Sequence, residues 1–295
     1  MNNAPRGITL MVLSMAGFAV EDTFIKLASA GMPLGEIIAI LGLGGTIFFA
    51  TLARLTGRPG LLSRGFFTPA VVARNLGEMV GTAGYLLGIT LAALTTSTAV
   101  FQALPLAVTL GAALFLGESI GWRRTLAITA GFVGVIVIIR PGAAGFEPAL
   151  LWTVLGVAGL TVRDLATRRT PAHVDTVQLA AWGMAVSFVL GLGMLAVTGG
   201  AVIPDRHLAL LVLGSMVADF GAYLALTEAT RVAEAGVTTP FRYSRLVFAL
   251  VPGWFVFGER PDAWTWAGAV LIVGSGLYAL ARERRRRLSP APAAR

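Results

Sequence analysis

Four ionisable residues stand deep inside long apolar stretches, where a sequence without a use for them would carry none: Glu78, Asp219, Arg242 and Arg245. A charge at the centre of a bilayer costs at least ~2.5–3.5 kcal/mol, so each needs a partner or a water-filled surface. Arg74 and Glu78 are four residues apart, which allows an ion pair within one helix. Glu78 could equally face a cavity and receive an ammonium group or a proton. The same spacing recurs at Asp22 and Lys26 and at Asp164 and Arg168, and predicts intrahelical pairs that staple or gate. Asp219 has no basic residue three or four positions away. It needs a partner on another helix, or burial holds it protonated. Arginine presents a planar fork that suits a carboxylate, so Arg242 is a candidate carboxylate receptor. The alternative is that Arg242 and Arg245 only neutralise Asp219 or Glu78.

A zwitterion needs one acidic and one basic contact, which Glu78 or Asp219 with Arg242 could supply. Aromatic and amide groups lie near them in sequence or in equivalent places. The candidate binding set is therefore Glu78, Tyr85, Phe101, Gln102, Trp182, Asp219, Arg242 and Tyr243. Tyr85 and Tyr223 occupy matching positions, and an aromatic-lined cavity with few polar groups fits a bulky apolar side chain. Packing or lipid contact is the competing duty for each aromatic. No cysteine is present, and His173 and His207 both fall between the expected helices, so no metal or cofactor site is expected. A Walker A loop, HExxH and GxSxG are all missing, which argues against direct ATP use and against an enzyme.

The elements that position these residues are membrane helices. The 295 residues are 56% apolar and only 13% charged, against about 25% charged in a soluble domain. Mean hydropathy is +0.79. Ten spans are expected, over 7–29, 34–55, 69–91, 95–116, 123–140, 149–168, 176–197, 207–228, 237–258 and 263–281. The first is kept as a span and not a cleaved signal, because Glu21 and Asp22 follow where small residues would mark cleavage. An even number of spans leaves both termini on one side. Arginines concentrate there, at Arg6, Arg54, Arg58, Arg64, Arg123, Arg124, Arg168, Arg169, Arg231 and the tail positions Arg282, Arg284, Arg285, Arg286 and Arg287. The other side has Arg140, Arg206 and Arg260, so positive-inside orientation places both termini in the cytoplasm. The net charge of +8 is then a basic anchor facing anionic lipid, and nucleic acid is not an expected partner.

The chain repeats itself. Leu94 to Glu118 opens on hydroxyl residues, carries Gln102 and is broken by Pro105. Val237 to Glu259 follows the same design, and Gly117-Glu118 matches Gly258-Glu259 at an offset of 141. Val20-Glu21-Asp22 with Lys26 matches Val162-Arg163-Asp164 with Arg168. Glu36 matches Gln178, and Ala83-Gly84-Tyr85-Leu86 resembles Gly221-Ala222-Tyr223-Leu224. Five helices per copy is an odd number, so the copies must be inverted, with a substrate site near the midplane between them. The expected division is 1–140 and 141–281 for the two repeats and 282–295 for a basic cytoplasmic tail. Gly77, Gly81, Gly84 and Gly88 on helix 3 let helices approach closely, as do Gly131, Gly134, Gly268, Gly274 and Gly276 on helices 5 and 10. Trp122, Trp152, Trp264 and Trp266 read as interfacial anchors.

Ten spans in a 5+5 arrangement, a Gly-Glu after helices 4 and 9, and glycine-punctuated helices 5 and 10 resemble the drug/metabolite transporter superfamily, and within it the EamA-type exporters. The resemblance covers residues 7 to 281. It implies an all-α integral membrane fold in which helices 1–4 and 6–9 surround a central cavity and helices 5 and 10 lie outside. It also implies a bacterial inner-membrane carrier with alternating access, related to the aromatic amino-acid exporters. The expected substrate is an amino acid with a large apolar side chain or a related metabolite; the alternative is a proton-coupled exporter of cationic lipophilic compounds. One chain contains a complete site, so a monomer suffices.

Overall fold

A computed structural model describes residues 3–61, 64–143, 145–171, 173–233 and 235–288. It is built of helices: α1 (Ala4–Ala28), α2 (Leu34–Leu55), α3 (Pro69–Leu91), α4 (Leu94–Phe101), α5 (Leu104–Leu116), α6 (Trp122–Ile139), α7 (Leu150–Thr167), α8 (Thr176–Thr198), α9 (Arg206–Val232), α10 (Ala235–Thr238), α11 (Ser244–Phe255) and α12 (Ala263–Leu288). Short 3-10 turns run over Arg64–Phe67 and Thr239–Tyr243. Taken as spans, α4–α5 is the fourth and α10–α11 with its 3-10 turn is the ninth. That makes ten among the described residues, in two inverted sets of five. Eight of them, α4–α5 counted as one, are long and apolar enough to cross a membrane. The third span, α3, carries Arg74, Asn75 and Glu78 because it faces the interior, and the ninth is interrupted. The basic run after residue 281 continues α12 as helix to Leu288; residues 289–295 of the expected tail lie outside the described residues.

The breaks have a chemical cause. Pro105 has no N–H for the Phe101 carbonyl, so the fourth span stops at Phe101 and restarts at Leu104. Pro240 does the same in the ninth span, which passes through a 3-10 turn before α11. Such openings are tolerated only where protein or a cavity satisfies the freed groups. Both spans end on glycine in the left-handed region, Gly117 at φ 71° and Gly258 at φ 65°, each followed by its glutamate.

The repeats interleave. The dominant interfaces are α1 on α9, α3 on α7, α2 on α8 and α6 on α12, each joining one repeat to the other. Without a hydrophobic drive between helices in lipid, small residues set the approach. A methyl at Gly77 would lie 2.6 Å from the Arg163 amide nitrogen, and Gly84 meets Gly156 backbone to backbone. Gly134 meets the Gly268 carbonyl in the same way, whereas Gly274 has nothing within 4 Å and is not a contact glycine. The α6–α12 pair stands outside the rest, closed by Arg140 to Asp262 at 2.7 Å.

Candidate functional site

Two ion clusters, the first buried and the second partly buried, join helices from both repeats. In the first, Arg245 of α11 grips Asp22 of α1, with Nη2 donating to Oδ1 at 2.9 Å and to Oδ2 at 2.8 Å, and Nε to Oδ2 at 3.2 Å. The Tyr85 hydroxyl on α3 donates to the same carboxylate at 2.8 Å. Phe18, Tyr85 and Phe101 box the guanidinium at 5.2, 5.0 and 5.2 Å from their ring centres. Asp22 is 1% exposed, so this fork-to-fork pair ties the first, third, fourth and ninth spans together in a dry setting. In the second cluster, Glu78 of α3 takes Arg74 at 3.2 Å and Arg163 of α7 at 3.3 Å, and Arg163 also holds Asp164 at 2.9 Å. Arg74 Nη1 donates to Asn75 Oδ1 at 3.1 Å.

Between the clusters stand three charged residues whose side chains make no hydrogen bond or ion pair among the described residues. They are Glu21 on α1, Asp219 on α9 and Arg242 in the 3-10 turn of the broken ninth span. Glu21 and Asp219 feel one another's charge, and Arg242 feels Asp164, Arg163 and Arg245. Gln102, at the break of the fourth span, donates from Nε2 to the Arg242 carbonyl at 3.4 Å, so the two breaks face each other.

The expected intrahelical pairs at Asp22–Lys26 and Asp164–Arg168 do not form. Asp22 takes the bidentate arginine across the interface, and Asp164 takes its neighbour Arg163. Lys26 and Arg168, one turn nearer the helix ends, reach the loops instead. Arg74–Glu78 does form, with Arg163 added. The alternative in which Arg245 neutralises Asp219 or Glu78 also fails, because its partner is Asp22.

Of the expected binding residues, Glu78, Tyr85, Phe101, Gln102, Asp219 and Arg242 come together here. Trp182 does not: its Nε1 donates to the Leu61 carbonyl at 2.9 Å and its ring meets Phe66, pinning the 56–68 loop to α8. Tyr243 points away too, its hydroxyl lying over Gly276 of α12. His207 falls in the first turn of α9. Sequence reading passed over Glu21, Arg163 and Arg245 as binding groups. The signal was in the repeat: Glu21 and Arg163 are equivalent positions of opposite charge, and Arg245 corresponds to Leu104.

Lys26 and Arg168 reach the glutamates that follow the two broken spans, at opposite ends of the bundle. On the face opposite the termini, Glu259 accepts from the Leu94 amide at 2.6 Å, the Thr95 amide at 2.9 Å, the Thr95 hydroxyl at 2.8 Å and Lys26 at 3.0 Å. Lys26 also donates to the Ala92 carbonyl at 2.6 Å. A carboxylate thus caps the N-terminus of α4, where the helix dipole favours it. Burial pushes the Glu259 carboxyl up, but the Thr95 amide and the Lys26 charge outweigh it and hold it below its ordinary value. The inverted counterpart on the terminal face is Glu118 with Arg168 at 2.8 Å, and there both side chains are about half exposed, 49% and 47%. On that face α5 packs on α7 and α10 on α1, whereas on the Glu259 face α4 packs on α11.

Inverted repeats, two proline-broken spans and charges without partners among the described residues are features of a membrane carrier. The profile of the EamA-like transporter family matches residues 5–140 and again 147–280. The chain belongs to that family, within the drug/metabolite transporter superfamily, and is a multi-pass membrane transporter. It is 26% identical over 289 residues to the S-adenosylmethionine uptake transporter of Rickettsia prowazekii, covering 95% of this chain and 94% of that protein. It is 28% identical over 272 residues to the pseudopaline exporter CntI of Pseudomonas aeruginosa, covering 90% and 93%. A riboflavin transporter of Rhizobium johnstonii is 29% identical over 212 residues, covering 72% and 70%. A crystal structure superposes with a TM-score of 0.61 at 18% identity over 93% of this chain and 99% of that chain, a likeness of fold.

Proposed function

We propose that this carrier moves a small molecule bearing an α-amino-acid group and a bulky side chain, by alternating access through the central site. The observation that carries this is one arginine and two carboxylates that, among the described residues, have no partner between neutralised clusters. Arg242 would take the substrate carboxylate, and Glu21 with Asp219 its ammonium. A group that waits for a ligand in a low-dielectric site is stabilised when the ligand supplies the missing charge. Amino acids with aromatic side chains are the simplest candidates. S-adenosylmethionine, named for one relative, is also a bulky amino acid and carries a second cation that two carboxylates could accept.

A carrier of lipophilic cations is less well supported, because the aromatic box that would hold a cation is filled by Arg245. The Glu259 clamp would hold one face closed, and the half-exposed Glu118–Arg168 pair would leave the other free to open. With positive-inside orientation the closed face is periplasmic and both termini are cytoplasmic, in a bacterial inner membrane. Because the repeats interleave, the moving bodies would be α1 with α9 and α3 with α7, and not residues 1–140 against 141–281. Transport direction follows the substrate gradient.

The test is counterflow into liposomes with labelled tryptophan, S-adenosylmethionine, riboflavin and a quaternary ammonium dye. Flux of an amino acid that Arg242→Gln abolishes is expected. Flux of riboflavin or the dye alone, indifferent to Arg242→Gln, would overturn the assignment.

A further inference from the structure

We infer that the lipid-facing seam between α6 and α12 is a binding site for an anionic phospholipid, with Arg123 and Arg282 on its phosphate and an acyl chain lying over Gly274. A groove of about 490 Å³ opens along this seam, bounded by Trp122, Arg123 and Ala130 on α6 and by Gly274, Ser275 and Tyr278 on α12. Nearer the other end the two helices are locked together at Gly134 and Gly268. At Gly274 they are not, since nothing lies within 4 Å of where its Cβ would stand. That glycine leaves a floor instead of making a contact. From Trp122 to Ala130 the helical rise gives ~12 Å, most of the ~15 Å half-thickness of a bilayer core.

The mouth of the groove is chemically distinct from its floor. Arg123 lies 5.1 Å over the Trp122 ring, and neither Arg123 nor Arg282 has a hydrogen bond or ion pair among the described residues. Arg282 follows Tyr278 by four positions and Gly274 by eight, so register puts all three on one face of α12. The adjacent Arg124 is turned inward and donates to the Thr109 hydroxyl at 3.4 Å, so the arginine pair is divided between interior and groove. Tryptophan and tyrosine at this depth mark the interface, and basic pockets between membrane helices hold anionic headgroups. A zwitterionic lipid brings its own ammonium along with the phosphate, so a lipid of net negative charge offsets more of the charge of the two guanidinium groups. A second copy of the chain offers Arg123 no carboxylate from α6, which has none.

The test is native mass spectrometry of the full chain released from detergent after titration with phosphatidylglycerol or phosphatidylcholine. Selective retention of phosphatidylglycerol is expected, falling about fivefold for each of Arg123→Gln and Arg282→Gln. Gly274→Leu, which fills the floor without a clash, should lower retention of either lipid. Unaltered elution and counterflow in each variant show that it folds. Equal retention of the two lipids, or phosphatidylglycerol retention unchanged in Arg123→Gln with Arg282→Gln, would overturn the assignment. So would a dimer that Gly274→Leu dissociates while lipid retention stays constant.

Discussion

Glu259→Gln should release the closed face of the cavity. The carboxylate accepts four hydrogen bonds, from Leu94, Thr95 twice and Lys26, at 2.6 to 3.0 Å. A glutamine keeps the shape but loses the charge and offers one oxygen, and its amide nitrogen meets donors. Hydrogen bonds to a charged group contribute about 1.5–3 kcal/mol and neutral ones about 0.5–1.5. Allowing for non-additive losses, the closed state should be weakened by roughly 1.5–3 kcal/mol, a ten- to hundredfold shift towards opening at this face. The chain has no cysteine, so Gln102→Cys at the break of the fourth span gives a single reporter. Labelling by an impermeant maleimide added on the Glu259 side should accelerate ten- to hundredfold when Glu259→Gln is combined with it. Glu118→Gln should give no acceleration from that side. An unchanged labelling rate with Glu259→Gln would refute the clamp.

Asp22→Asn should destabilise the protein by about 3–5 kcal/mol, because it leaves Arg245 buried without its partner. Asp22→Leu with Arg245→Met should recover most of that in detergent unfolding; no recovery would mean the pair does more than neutralise itself. Gly159→Leu, set against the Gly81 backbone, should prevent α3 from seating on α7, seen as loss of monodisperse elution, whereas Gly193→Leu, with open space, should not. Glu259 is held below its ordinary value, so the clamp's contribution is complete above that ordinary value and is lost only as pH falls through the depressed one. The ratio of labelling rates from the Glu259 side with and without Glu259→Gln, which cancels the ionisation of the thiol itself, should therefore stay flat from pH 8 down to 5; a fall in that ratio within the window would contradict the reading.

The architecture was legible because membrane burial forces a coarse signal. Twenty apolar residues and a proline break are hard to misread, and the boundaries at Leu34, Leu55, Pro69 and Leu91 fall where the sequence puts them. Gly117-Glu118 and Gly258-Glu259 revealed the repeat but not what the glutamates do, since capping of α4 by Glu259 joins residues 164 apart in sequence. Charge partners were the least legible. Spacing of four residues permits an intrahelical pair at Asp22–Lys26, yet Arg245 offers three hydrogen bonds from another helix, and sequence spacing cannot see that competitor. Trp182 and Tyr243 were misplaced for a related reason. A polar-tipped aromatic in a membrane helix suits a cavity, a loop carbonyl or a neighbouring glycine equally well, and only packing decides.

The departure from symmetry bears most directly on function. Asp22 and Asp164 are equivalents, and each must be neutralised. In the second repeat the neighbouring Arg163 does this, while in the first the neighbour is Glu21 and the cation comes from Arg245, where the other repeat has Leu104. Moving the arginine from α1 to α11 leaves Glu21 without a cation of its own beside Asp219, and Arg242 without a partner, among the described residues. A symmetric carrier would offer a midplane site with no preferred substrate polarity. On the proposed reading, this exchange separates the acidic residues on α1 and α9 from a basic one on the broken ninth span, and a zwitterion would satisfy both in one orientation. Glu21→Gln should therefore weaken a substrate with a free ammonium group and spare its deaminated analogue. Equal weakening of both would mean that Glu21 supports the fold of the site and does not read the substrate.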